Sequence, residues 1–196
     1  YLKSERLTED LGNRALSLVE LDPTAHDAPE VFTRVRRLVA YYRSTKTGLP
    51  KWIKNFVVTG YTHYTSVLPE AFSDRGTKPE QVAGMLAFVF TLESLALSLG
   101  CSRSQLVIAI GQASSRTDDP TKQGLLWAAE WLLGLRKVEQ IRAALDSALA
   151  NPLMLPAFPG YISGFLLALG FTPLVARIVV ELISKAFERL PEEVLV

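Results

Sequence analysis

The chain is short of the residues that carry most site chemistry. It has one cysteine, Cys101, in 196 residues. That excludes an internal disulfide framework and a cysteine-rich zinc site, and it suits a reducing, cytoplasmic setting. It has two histidines, His26 and His63, without a His-Glu-x-x-His run or an acidic ligand loop, so no metal set and no cofactor is expected. A glycine-rich, phosphate-cradling loop is also missing. Charge is absent from one long stretch, residues 151–176, which has none in 26 positions. That length would cross a bilayer, but Pro152, Pro156, Pro159 and Pro173 interrupt it, with Gly160, Gly164 and Gly170. The spacing of Gly160 and Gly164 permits close helix contact. We read the stretch as a buried hairpin and expect no membrane partner.

What remains is a helical pattern. Hydrophobic residues make up 48% and charged residues 21%, an ordinary globular balance that excludes wholesale disorder. The organising stretch is Thr77–Gln112. Thr77, Pro79 and Glu80 form a helix start, with Thr77 as cap. Val82, Met85, Leu86, Val89, Leu92, Ala96 and Leu99 then recur at helical steps. Gly100 stops that helix as a left-handed C′ residue, and Ser102-Arg103-Ser104-Gln105 opens the next one. Leu86, Val89, Leu92, Ala96, Leu99 and Leu106 are the expected core.

Leu95-Ala96-x-x-Leu99-Gly100-x-Ser102-Arg103-Ser104-x-Leu106 resembles the turn of a helix-turn-helix DNA-binding motif. That resemblance implies base contacts from the second helix, which needs polar side chains there. Val107, Ile108, Ala109 and Ile110 leave only Arg103, Ser104, Gln105 and Gln112 for the task, and a buried helical corner is the better reading.

Other segments follow the same logic. A surface helix is expected from about Ser4 to Leu21, with Leu7, Leu11, Ala15 and Leu18 as its stripe, and a second helix follows the cap at Asp27-Ala28-Pro29-Glu30. Trp52–Leu68 is rich in β-branched and aromatic residues, as a strand would be. Its stripe of Ile53, Phe56, Val57, Gly60, Tyr61, Tyr64, Val67 and Leu68 is helical, however, and we expect a helix ending at Pro69. Asp118-Asp119 reads as a cap before Pro120 rather than a magnesium pair. Gly134 divides the apolar run from Leu125 to Ala148. The closing helix from Pro173 is expected to bury Leu174, Val175, Ile178, Val179, Leu182, Ala186 and Phe187, with Glu181 and Lys185 paired on its wet side.

Leu97–Ser102 and Leu167–Thr172 echo one another seventy residues apart. The fold class expected is therefore all-α: stacked antiparallel helical hairpins, like a helical-repeat array or an orthogonal bundle, with about seven to nine helices. We expect one helical domain over 1–196, with a sub-boundary near 114–120, excised from a longer protein.

Two clusters are candidates for function. Between Val31 and Pro69 lie Arg34, Arg36, Arg37, Arg43, Lys46, Lys51 and Lys54 with no acid among them. The interleaved Tyr41, Tyr42, Trp52, Tyr61 and Tyr64 make this a candidate polyanion or partner surface, since phosphate contact plus base stacking needs such a mixture. The first thirty residues are the reverse, with three basic and seven acidic side chains. The second cluster is a candidate pocket of Trp52, Tyr61, His63, Tyr64 and Glu93, where a histidine and a carboxylate could exchange a proton. Glu93, on so apolar a helix, needs a partner such as Lys54 or Arg103. No residue is assigned a catalytic role. The leading expectation is a non-catalytic helical interaction or scaffold module. Its partner would be another protein or the rest of the parent chain. Nucleic-acid binding through residues 34–54 is the alternative, and a small-ligand pocket or enzyme around His63 and Glu93 the third.

Overall fold

The computed structural model describes residues 48–189, together with the helical residues Arg37, Ala40 and Tyr42. The helix expected at Ser4–Leu21 and the cap at Asp27–Glu30 lie outside the described residues. Among the described residues there are seven α-helices and no strand. They are α1 (Lys51–Ser73), α2 (Pro79–Ser98), α3 (Arg103–Ser114), α4 (Pro120–Leu132), α5 (Val138–Ala150), α6 (Phe158–Ala168) and α7 (Ala176–Arg189). Short 3-10 turns at Leu155–Ala157 and Pro173–Val175 lead into α6 and α7. The all-α reading therefore holds.

Helix α2 meets α1, α4 and α6, and α3 meets α1 and α4. Both α2 and α3 pack chiefly on α1, more than on each other. The segment that could have been a strand supplies the reason. Ile53, Phe56, Val57, Gly60, Tyr61, Tyr64 and Leu68 are all buried on one helical stripe. At Gly60 a methyl group would collide with the Phe88 ring of α2. That ring also meets Phe56 and Tyr64 edge-on, with centroids 5.7 and 5.0 Å apart. Val67 is half-buried. The helix does not stop at Pro69 but continues to Ser73, because Leu68, Pro69, Ala71 and Phe72 are all buried and packing carries the helix past the missing N–H.

Of the expected core, Leu86, Val89, Leu92, Ala96 and Leu106 are buried, and Leu99 is only half-buried. Leu99 lies where the chain turns outward at Gly100, whose φ is +96°. There the Cys101 N–H donates to the Ala96 carbonyl at 3.0 Å and the Gly100 N–H to that of Leu97 at 3.1 Å, the Schellman pattern. Gly134, with φ +74°, repeats it between α4 and α5. Gly100 and Ser102 are exposed, so this corner is a surface turn and not a buried one.

Helix α4 packs on α6 more extensively than any other two helices in the fold. Added methyl groups at Gly124 or Gly164 would strike the backbone of the facing helix, and one at Gly160 would meet Pro120 at 2.8 Å. The close contact expected of the Gly160–Gly164 pair is thus made with α4. The charge-free stretch is consumed in this way, broken into two short turns and the eleven-residue α6. By length and composition α2 alone is long and apolar enough to cross a bilayer among the described residues, and half of that window is buried inside the domain.

Helix α7 buries Ile178, Val179 and Leu182 at its inner side, with Val175 buried in the turn before it, and the side chain of Ala186 lies outside the described residues. The Glu181–Lys185 pair forms at 3.4 Å, but not on a purely wet side. Arg142 of α5 donates to Glu181 through Nε and Nη2 at 3.0 and 2.9 Å, and Lys185 also reaches Asp146. Leu174 and Phe187, expected inside, are 64% and 62% exposed.

Candidate functional site

Three places combine chemistry-bearing side chains with an unusual setting. The first is the corner where α1, α2 and the start of α3 meet. The Arg103 guanidinium answers the need of Glu93, with Nε 3.3 Å from Oε1. Lys54 stays exposed at the start of α1. The Tyr61 ring is fully buried and its hydroxyl has no hydrogen-bond partner. Burial pushes its pKa up to about 12, with the Glu93 and Cys101 charges adding to the shift and Arg103 opposing it. Burial likewise pushes the Cys101 thiol up, against the Thr62 hydroxyl beside it. That keeps Cys101 a thiol rather than a nucleophilic thiolate.

The candidate pocket is therefore only partly assembled. Tyr61 and Glu93 share one electrostatic neighbourhood. His63 is half-buried and lies edge-on to Tyr64, with centroids 5.7 Å apart. Tyr64 is buried, and desolvation raises it to about 12. Trp52 packs against the core nine residues before Tyr61, about 13 Å along the helix axis. A phenol raised to about 12 is poorly matched for proton transfer near neutrality.

Of the basic cluster, Arg37, Lys51 and Lys54 are exposed, while Arg34, Arg36, Arg43 and Lys46 lie outside the described residues. Tyr61 and Tyr64 face inward, and Trp52 and Tyr42 pack on the core. Trp52 and Tyr42 are only half-buried, and Trp52 adjoins the exposed Lys51.

The second place, not singled out by the sequence, is Lys122. Its side chain is 2% exposed, and its ammonium donates to the Ala71 carbonyl at 2.8 Å and to the Asp74 carbonyl. It thereby satisfies the carbonyl end of α1, where a cation is favoured by the helix dipole. Burial lowers its pKa, and the charges of Asp119 and Asp74 resist that shift. Asp119 in turn caps α4, accepting from the Thr121 and Lys122 N–H groups at 2.8 and 2.9 Å, the role expected of it. Asp74 organises the turn into α2. It accepts the Thr77 hydroxyl at 2.7 Å, which holds its carboxyl below the usual range, and the N–H groups of Gly76 and Thr77. Thr77 is thus not the cap of α2, because the Asp74 carboxylate has taken its hydroxyl. Gln81 accepts the Lys78 N–H instead, at 2.9 Å. A cleft of about 370 Å³ opens beside Lys122, lined also by Phe72, Arg75 and Asp118. Asp74, Asp119 and Lys122 are engaged in these turn and cap contacts, while Arg75 and Asp118 are exposed.

The third place is apolar. The outer side of α7 carries Val180, Ile183 and Phe187 at 65%, 37% and 62% exposure. With the exposed Ala176, they follow four-, three- and four-residue steps, within about 60° of helical arc. The wheel of α7 is therefore apolar over a wider sector than the domain covers. A periodic pattern reveals such a sector but not how much of it the fold will use, and that is why Phe187 was expected inside. Among the described residues, no group of three or more histidine, cysteine or acidic side chains is placed to hold a metal ion. No protein-family model, curated protein or solved structure matches this chain.

Proposed function

We propose that this chain is a non-catalytic helical interaction module, and that its binding surface is the outer side of α7. The observation carrying the reading is the uncovered stripe of Val180, Ile183 and Phe187, with Leu174 exposed on the turn before it. Scattered exposed apolar residues are ordinary, but a line such as Ala176, Val180, Ile183 and Phe187 along one helix is how an amphipathic partner helix is received. Each square ångström removed from water there contributes about 25 cal/mol. The inner side of the same helix is held by Ile178, Val179 and Leu182 and by the Arg142–Glu181 pair, so the stripe is presented on a fixed support. The buried, pKa-raised Tyr61 and the ion pair of Glu93 with Arg103 support the non-catalytic half of the reading.

The test is selection from a displayed library of helical peptides with one apolar stripe, using the 196-residue chain as bait. The expected result is a set of peptides retained by the wild-type chain and lost by a V180E/F187E variant with an unchanged circular dichroism spectrum. Failure to select peptides, or selection of peptides that the variant holds equally well, would sink the reading.

A further inference from the structure

We infer that the partner helix is α7 of a second copy, docked antiparallel about a two-fold axis. The inference rests on the docking surface proposed above and adds its occupant. Three features of the stripe point to self-association.

The first is spacing. Ala176, Val180, Ile183 and Phe187 follow the alternating three- and four-residue steps of a coiled-coil seam, about 16 Å long. The second is size order. A two-fold axis that reverses the helix sets Ala176 opposite the partner's Phe187 and Val180 opposite the partner's Ile183. The smallest side chain then receives the largest, and two β-branched chains meet in the middle. A parallel pairing would instead stack Phe187 on Phe187 and leave a gap at Ala176. The third is charge. Arg177 and Glu188 are both exposed on the same flank of the stripe, eleven residues apart. Antiparallel pairing brings Arg177 to within two residues' level, about 3 Å along the axis, of the partner's Glu188, twice by symmetry. Parallel pairing places the two copies of this flank on opposite sides of the seam and makes neither cross-pair.

A seam of three turns falls in the small class of interfaces, so the dimer should be weak and concentration-dependent, with a dissociation constant in the roughly micromolar to hundred-micromolar range. The exposed side chains involved are not needed by the core, so variants there should keep the fold.

The experiment is sedimentation equilibrium on the full chain over about 5–500 µM, spanning that range. The wild-type chain should move from monomer toward dimer, and V180E/F187E should remain monomeric throughout. R177E should weaken the dimer by about tenfold, and R177E/E188R should restore it, since the swap rebuilds both cross-pairs. A wild-type monomer at every concentration, a dimer indifferent to V180E/F187E, or a charge swap no better than R177E alone would overturn the inference. If the chain stays monomeric yet still selects stripe-bearing peptides, only the identity of the occupant is wrong. If it does neither, the interaction reading fails as well.

Discussion

The α4–α6 contact and the outer side of α7 both present apolar side chains and have opposite fates. In the first, Gly124, Gly160 and Gly164 let two backbones touch, and the apolar surface of both helices disappears into the domain. In the second, β-branched residues and a phenylalanine stand on a helix that already has a buried face, and no described element crosses them. Small residues let helices of the same chain pack closely, whereas the second apolar sector of α7 stays exposed, where the proposal places its partner. Apolarity alone does not distinguish the two; side-chain size does.

The contrast breaks most severely at Gly164. Valine there would meet the Thr121 carbonyl and the backbone of Gly124 and Leu125, none of which can yield without moving α4. The expected loss is on the order of 5 kcal/mol, comparable to the whole stability of a small domain, read as loss of a cooperative thermal transition. Leu92→Ala, in the α1–α2 packing, should cost about 3 kcal/mol through lost burial and the cavity left behind. Chemical denaturation with an unchanged slope would check it. A cost below about 1 kcal/mol would mean that α2 is not core.

Lys122→Met keeps the buried stem but leaves the Ala71 and Asp74 carbonyls without their donor. We expect a loss of about 2 kcal/mol, with hydrogen exchange accelerating first in the last turn of α1. The smallest effect belongs to Glu181. Its carboxyl is held below its ordinary value of 4.5, first by the Arg142 hydrogen bonds. A lowered folded-state pKa contributes stability above the unfolded value and loses it as pH falls through the folded one. Glu181→Gln should therefore cost less than about 1 kcal/mol at neutral pH and nothing once both forms are protonated, well below pH 4.5.

Much of this fold was legible in sequence because helical period, proline placement and glycine stops are local. The stripe of α1 from Ile53 to Leu68 and the division at Gly134 both follow from such signals. The corner pattern was less transferable. Leu97–Ser102 and Leu167–Thr172 read alike, yet only Gly100 takes a positive φ. At the second corner the Phe171 and Thr172 N–H groups both return to the Ala168 carbonyl, and Pro173 starts a 3-10 turn at once. The echo is one of letters and not of geometry. Lys122 was missed for a different reason. Its partners, the carbonyls of Ala71 and Asp74, lie 51 and 48 residues away, and nothing local marks a lysine as a cap for another helix. The Glu93–Arg103 pair was foreseeable because an isolated carboxylate on an apolar helix must find a cation, and the next helix begins with one.

The most direct test of the α7 surface is the melting temperature of the wild-type chain as a function of its own concentration. Association of folded chains alone links stability to concentration. The melting midpoint should rise by about 1–2 °C for each tenfold increase in concentration once dimer is present, and V180E/F187E should melt at one temperature throughout. A wild-type midpoint that does not move with concentration, or a variant midpoint that moves with it equally, would contradict the account.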